Sequence, residues 1–299
     1  MDLKISVVIN TLNCEQDITN CINSIKWADE ILVCDMYSED KTIEIAKKMG
    51  AKIVFHKRLD FVEPARNFAI SKALGDWILI LDPDEQVSED LKIKLIEISS
   101  RTKDIDYVRI PRKNIIFGKW MKTSMWWPDY NIRFFRKGKV SWNNKIHRPP
   151  EALGKGMDLG LDEKVALFHN HYQTIPQFLE RMIRYTKVQS EELVKDGYIF
   201  DWKDLIKKPL GEFLGRFFAN SGFKDGLHGF ALSLLQALSF LIVYLRVWEM
   251  ENFEQGEINI SELKQISKKG GLEINYWLKF INLSHNPIKR FFQKVKDKI

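Results

Sequence analysis

Cysteine is scarce in this chain, which holds only Cys14, Cys21 and Cys34. Three thiols cannot all pair with one another, and all three lie in the first strand-and-helix stretch. They are read as reduced, core-packed thiols of a cytoplasmic protein. Met1 to Asn10 has no basic region leading into an apolar stretch and a small-residue cleavage site, so no secretory signal is expected. No G-x-G-x-x-G follows the first apolar strand, which removes the main support for a dinucleotide site, and no G-x-x-x-x-G-K-[ST] loop offers a phosphate cradle. Internal repeats and low-complexity segments are missing. The first half has no basic stripe with interleaved aromatics, so nucleic acid is not an expected partner. The net charge of +6, from 46 basic against 40 acidic residues, is a mild excess that suits a phosphorylated substrate or an anionic membrane surface.

What is present reads as a folded protein, with 45% apolar and 29% charged residues. Ile5 to Ile9, Ile31 to Cys34, Lys52 to Phe55 and Trp77 to Leu81 are short apolar runs that predict strands. Helical spacing fills the gaps at Glu15 to Lys26, Thr42 to Met49 and Pro64 to Leu74, with Gly50 expected as a left-handed cap. This alternation predicts an α/β fold with a mostly parallel central sheet covered on both faces. Ligands of such sheets bind beyond the carboxyl ends of the strands. From about Asp104 to His171 the texture becomes short β-like runs rich in aromatics. After Tyr172 it is helical, with helices predicted at Ile175 to Val194, Gly211 to Asn220 and Leu227 to Trp248. The composition shift near residue 173 divides a catalytic domain, 1–173, from a helical extension, 174–299.

Two acidic features fall at the strand ends, Asp35 and the run Asp82-Pro-Asp84-Glu85. Carboxylates separated by one residue on a loop can share a hard cation such as magnesium or manganese. An ion held there would bridge the phosphates of a nucleotide diphosphate and offset its charge as it leaves. The bland alternative is an acidic turn that caps the helix starting near Ser88. His169 and His171 share one strand face and are either metal ligands or structural rings. Trp120, Trp126, Trp127 and Trp142 either fill the core or offer indole faces to sugars.

Ile5-Ser-Val-Val-Ile-Asn-Thr-Leu-Asn13, Ile31-Leu-Val-Cys-Asp35, Ala65-Arg66-Asn67 and Gly75-Asp-Trp-Ile-Leu-Ile-Leu-Asp-Pro-Asp-Glu85 occur in that order. Together they resemble the nucleotide-binding half of family-2 inverting glycosyltransferases with the A-type fold. Trp126-Trp-Pro-Asp-Tyr-Asn-Ile-Arg-Phe-Phe135, Lys145-Ile-His147 and Phe168-His-Asn-His-Tyr172 resemble the subgroup of lipopolysaccharide core β-glucosyltransferases. The resemblance implies that Thr11, Asn13 and Asp35 line the nucleotide, with a UDP-sugar favoured, and that Arg66 lies near the donor phosphates. It also implies a metal-and-ribose pair in Asp82 and Asp84, with Asp84 the direct metal ligand and His147 a further candidate there. Met36 stands where many relatives carry a second acid. Asp129 matches the catalytic base, with Arg133 four residues on, although Pro128 replaces the usual preceding Glu. Inversion at a sugar carbon needs such a carboxylate to take the acceptor's proton, and burial among Trp126, Trp127 and Tyr130 is expected to desolvate it. Trp126 and Trp127 are the candidate acceptor contacts.

Gly229 to Leu245 is seventeen residues without a charge, just short of the roughly twenty of a spanning helix. Phe213, Phe217, Phe218 and Phe230 with Arg216 and Lys224, and the tail Lys289-Arg290-Phe291-Phe292, suit adsorption to anionic lipid. A buried helix, or one facing a partner subunit in a homo-oligomer, is the competing expectation. The expected protein is peripheral on the inner face of the cell membrane, with a glycolipid or lipopolysaccharide-type acceptor. The rival readings are a nucleotidyltransferase of related fold and a non-catalytic membrane-associated assembly factor. The first loop lacks the glycine and basic residues of the former.

Overall fold

The computed structural model describes residues 3–59, 62–102, 104–142 and 149–284. His147 and the basic tail lie outside them. The chain separates into two compact units, 1–120 with 126–173, and 121–125 with 174–299.

The first unit begins with alternating strands and helices: β1 (Ile5–Thr11), α1 (Ile18–Ser24), β2 (Glu30–Asp35), α2 (Thr42–Lys48), β3 (Lys52–Phe55), α3 (Glu63–Lys72) and β4 (Trp77–Leu81). β1 and β4 are buried along their whole length. Their unbroken apolar runs follow from having both faces covered. Ile5, Val7 and Ile9 pack with α1 and with Leu91, Leu95 and Ile98 on one face. Val8, Leu32, Ile78 and Ile80 pack with Ala69 and Ile70 of α3 on the other. Gly50 takes φ +87° after α2, as its position in the sequence requires.

There follow β5 (Glu85–Gln86), α4 (Glu89–Arg101), β6 (Tyr107–Ile116), β7 (Lys119–Trp120), β8 (Tyr130–Arg136), β9 (Val140–Ser141), β10 (Glu151–Ala152), β11 (Gly156–Asp158) and β12 (Leu167–Tyr172). The main sheet runs β3-β2-β1-β4-β8-β6-β12-β5, with β7 and β11 on β6. β3, β2, β1 and β4 are parallel, whereas β8 is antiparallel to both β4 and β6. That reversal brings the start of β8 to the carboxyl end of β4. At the other end of the pair the indole of Trp77 stacks on Phe134, with ring centroids 4.5 Å apart.

The second unit holds α5 (Ile175–Lys195), α6 (Asp204–Leu214), α7 (Leu227–Met250) and α8 (Ile260–Ser284). The sequence pattern placed a helix at 211–220. The observed α6 instead starts at Asp204, runs through Pro209, and is followed by a π-helical turn over Gly215–Ala219. α7 is long and apolar enough to cross a membrane, with mean hydropathy 1.9. It buries Gly229, Leu232, Ser233, Val243, Tyr244 and Val247 and exposes Leu227, Phe230, Leu234 and Leu238. Residues 121–125 belong here because Asp225 accepts hydrogen bonds from the Lys122 and Thr123 amides and the Thr123 hydroxyl.

Candidate active site

At the carboxyl end of β1, the Thr11 hydroxyl donates to Asp35 Oδ2 at 2.7 Å, and Thr11 and Asp35 are paired in register. Asp35 also accepts from the Ser38 amide and hydroxyl at 2.7 and 2.6 Å. Asn13, at φ +52°, accepts the Glu39 amide through its Oδ1 at 2.8 Å. These bonds tie the loop after β1 to the loop after β2. Asp35 is fully buried with both oxygens engaged, so its immediate action is to shape that loop.

The turn after β4 closes on itself, with the Glu85 amide donating to Asp82 O and the Asp82 amide to Glu85 Oε2. The acidic residues do not cap α4. Ser88 does, accepting from the Leu91 amide at 3.1 Å. Asp82 instead takes Arg66 on Oδ1 and Arg133 on Oδ2, each at 2.6 Å. Arg133 also reaches the fully buried Glu85 at 2.6 Å. Burial alone would raise the Asp82 pKa, but the guanidinium groups of Arg133 and Arg66 outweigh it and hold the carboxyl well below the usual range. Burial likewise opposes charge on Arg133, and Asp82 and Glu85 outweigh that, raising its pKa.

The alternation of charge continues. Arg112 Nη1 lies 3.5 Å from Glu85, and its Nη2 lies 2.8 Å from Asp129. Asp129 has φ +34°, a conformation costly for a residue with a side chain and one found most often at working sites. Its carboxylate accepts from Arg112 Nε at 2.9 Å, Asn114 Nδ2 at 2.9 Å and Asn131 Nδ2 at 3.2 Å. The desolvation expected from the neighbouring aromatics is therefore replaced by donors, and the side chain is 25% exposed. The sequence reading named Glu85 within the acidic run but missed Arg112 and Asn114 as members of this network. Nothing in their spacing marks them, since β6 meets the acidic turn only through the fold.

Asn114 fixes the next link. Its Nδ2 donates to Asp129 and to Trp126 O, both pure acceptors. Its Oδ1 must then accept the Nδ1–H of buried His169, 2.6 Å away. His169 Nε2 lies 3.1 Å from His171 Nδ1 and 3.5 Å from Asp84 Oδ1. β12 reaches this place by pairing with β5, His169 opposite Glu85. Trp126 and Trp127 are half-buried; Trp126 lies 5.6 Å from the His171 ring and Trp127 5.4 Å from Trp120. Cys14 and Cys34 have their thiols pushed up by burial to about 12 and about 11, so neither is a nucleophile here.

Among the described residues no three His, Cys, Asp or Glu side chains form a metal-binding group. Asp82 has both oxygens on arginines. A magnesium-type ion, however, takes most of its oxygens from phosphates and water and needs only one or two protein carboxylates. Asp84, with His169 Nε2 beside it, fits that demand.

A parallel-strand sheet ending in this acidic turn, with a second carboxylate just ahead of the reversed strand, is the A-type glycosyltransferase fold. Residues 6–152 match the family described as Glycosyl transferase family 2. An uncharacterized glycosyltransferase of Rickettsia typhi is 30% identical, covering 83% of this chain and 87% of that one. The chain belongs to glycosyl transferase family 2. Glycosyltransferase SunS of Bacillus subtilis is 26% identical over 60% of this chain and 42% of its own. Among solved structures, Staphylococcus aureus TarS 1-349 is 18% identical, with TM-score 0.44, covering 86% of this chain and 94% of that one. Glucosyl-3-phosphoglycerate synthase of Mycobacterium tuberculosis, in complex with Mn2+, UDP and glucosyl-3-phosphoglycerate, is 26% identical at TM-score 0.33. That match covers 37% of this chain and 44% of the synthase.

Proposed function

We propose that this enzyme moves a sugar, with inversion, from a nucleotide diphosphate sugar to a glycolipid or lipopolysaccharide-type acceptor, in the manner of lipopolysaccharide core β-glucosyltransferases. The observation that carries the reading is the contact path from Asp129 through Asn114 and His169 to Asp84. It joins a carboxylate able to take a proton to one able to hold a divalent ion. Asn13 lines the nucleotide, a uridine diphosphate by preference, from a loop that Thr11 and Asp35 hold in place, and Arg66 and Asp82 stand on the phosphate side. Asp84 would hold Mg2+ or Mn2+ at the donor phosphates, where the ion would supply positive charge for the departing diphosphate. Asp129 receives the acceptor hydroxyl's proton while that oxygen bonds to the sugar carbon and the carbon–phosphate oxygen bond breaks. Trp126 and Trp127 offer indole faces to the acceptor.

A thermal-shift comparison tests the donor and metal assignments together. UDP-glucose at about 100 times its Kd should add about 2.7 kcal/mol of stability. Mn2+ should enlarge the shift in the native protein and not in Asp84→Asn. Indifference to every nucleotide sugar would remove the transferase reading in favour of an assembly factor, whereas stabilisation by a nucleoside triphosphate alone would favour nucleotidyl transfer. An equal manganese effect in Asp84→Asn would remove Asp84 from the metal.

The second unit supports placement on the cytoplasmic membrane face. The outward stripe Leu227, Phe230, Leu234 and Leu238 of α7 is apolar, and Lys207, Lys208 and Lys224 lie in the same unit. An amphipathic surface with nearby cations binds anionic interfaces. The full chain should sediment with phosphatidylglycerol-containing vesicles, and Leu234→Glu with Leu238→Glu should reduce the bound fraction severalfold. Equal sedimentation of the variant would point instead to a subunit contact on this stripe.

A further inference from the structure

A groove of about 750 Å³ opens next to Asp129, lined by Tyr107, Arg109, Tyr130, Asn131, Pro150 and Asp158 among others. Its size falls within the roughly 300–1,000 Å³ of small-ligand sites. Asn131 joins it to the catalytic carboxylate, its Nδ2 donating to Asp129 O at 3.1 Å and Oδ1 at 3.2 Å. The aromatic walls are fixed in place. The Tyr130 hydroxyl donates to Leu159 O at 2.5 Å. A methyl group at Gly156 would meet the Tyr107 ring at 2.3 Å, so glycine there is what lets that ring lie against β11.

Arg109 and Asp158 form a two-bond pair, Nε to Oδ1 at 2.6 Å and Nη2 to Oδ2 at 2.7 Å. Both are about half exposed, and the guanidinium lies 6.0 Å from the Tyr130 ring centroid. Among the lining residues these are the only charges, and they cancel. A groove without surplus cation is poorly suited to phosphate or carboxylate ligands. It does offer flat aromatic faces to C–H surfaces, and guanidinium donors beside carboxylate acceptors to hydroxyl groups. That combination is the chemistry of an uncharged saccharide.

We propose that this groove binds the neutral sugar units of the acceptor that adjoin the one receiving the new residue. The proposal rests on the sugar-transfer reading, because the groove's position beside Asp129 gives it this acceptor role. The test exposes the full chain to an array of neutral and anionic oligosaccharides of two to four units, alongside thermal shifts with UDP-glucose and Mn2+. The native protein should retain at least one neutral oligosaccharide. Arg109→Ala and Asp158→Ala should each weaken it about tenfold. Asp158→Asn, which keeps a hydrogen-bonding amide, should weaken it less, and all three variants should keep the donor-induced shift. Unchanged retention in both alanine variants, retention of anionic glycans alone, or no retention by the native protein would overturn the groove assignment. Those results with the donor shift intact leave sugar transfer standing, whereas loss of the native protein's donor shift counts against sugar transfer itself.

Discussion

Asp129→Asn is expected to lower the rate of sugar transfer by about 10²–10⁴-fold, the range associated with a general base. The amide occupies the same volume and can still bond to Arg112, but it cannot take the acceptor's proton. Thr11, Asn13, Asp35 and Asp84 are untouched, so the stabilisation by UDP-glucose with Mn2+ should match that of the native protein. Steady-state kinetics with saturating donor then separate two outcomes. A fall in kcat with donor binding preserved is the expected one. Full turnover in Asp129→Asn would exclude this residue as the base, whatever its backbone strain and its four donors imply.

Arg133→Met carries the largest expected effect on stability. Arg133 is 3% exposed and bridges Asp82 to the wholly buried Glu85. Methionine fills much of the space and leaves Glu85 with the Asp82 amide and, for charge, only the longer contact to Arg112. Breaking a buried ion pair from one side costs about 3–5 kcal/mol, a melting-temperature loss on the order of 10 °C for a chain of this size. The pH dependence has a definite sign. The folded-state pKa of Asp82 is depressed, so its contribution is fully present above the ordinary aspartate value of about 3.9 and is lost as pH falls below it. The gap between native and variant melting temperatures should therefore be widest near neutrality and close in acid below about pH 4. A gap of less than about 1 kcal/mol at pH 7 would mean that Arg66 and Arg112 suffice to hold the acidic turn.

The two effects are separable because they act on different parts of one alternating chain of charges. Arg66, Asp82, Arg133, Glu85, Arg112 and Asp129 follow one another by ion pairs. Its buried middle secures the turn after β4, and its partly exposed end presents Asp129. Such a network is favourable only when every member is satisfied. A substitution at the middle is therefore read in stability, and one at the end in chemistry.

By itself the sequence determined the parallel half of the sheet. β1 and β4 are continuous apolar runs, and a strand with both faces covered can be built in few other ways. Strand ends in such a sheet form the ligand side, so Asp35 and Asp82 to Glu85 were visible as one locus in the sequence, to which the family resemblance added Thr11. The helices with clean periodicity, such as Ile175–Lys195, were equally legible. α6 was not, because Pro209 reads as a stop in the sequence while the fold tolerates it inside the helix. Only the tertiary structure decided which carboxylates are consumed and which are offered. Arg112, Asn114, Arg133 and His169 come from β6, β8 and β12, strands separated by long loops whose pairing no local pattern encodes. Charge pairing depends on distances of a few ångströms between segments remote in the chain, and only the folded sheet sets those distances.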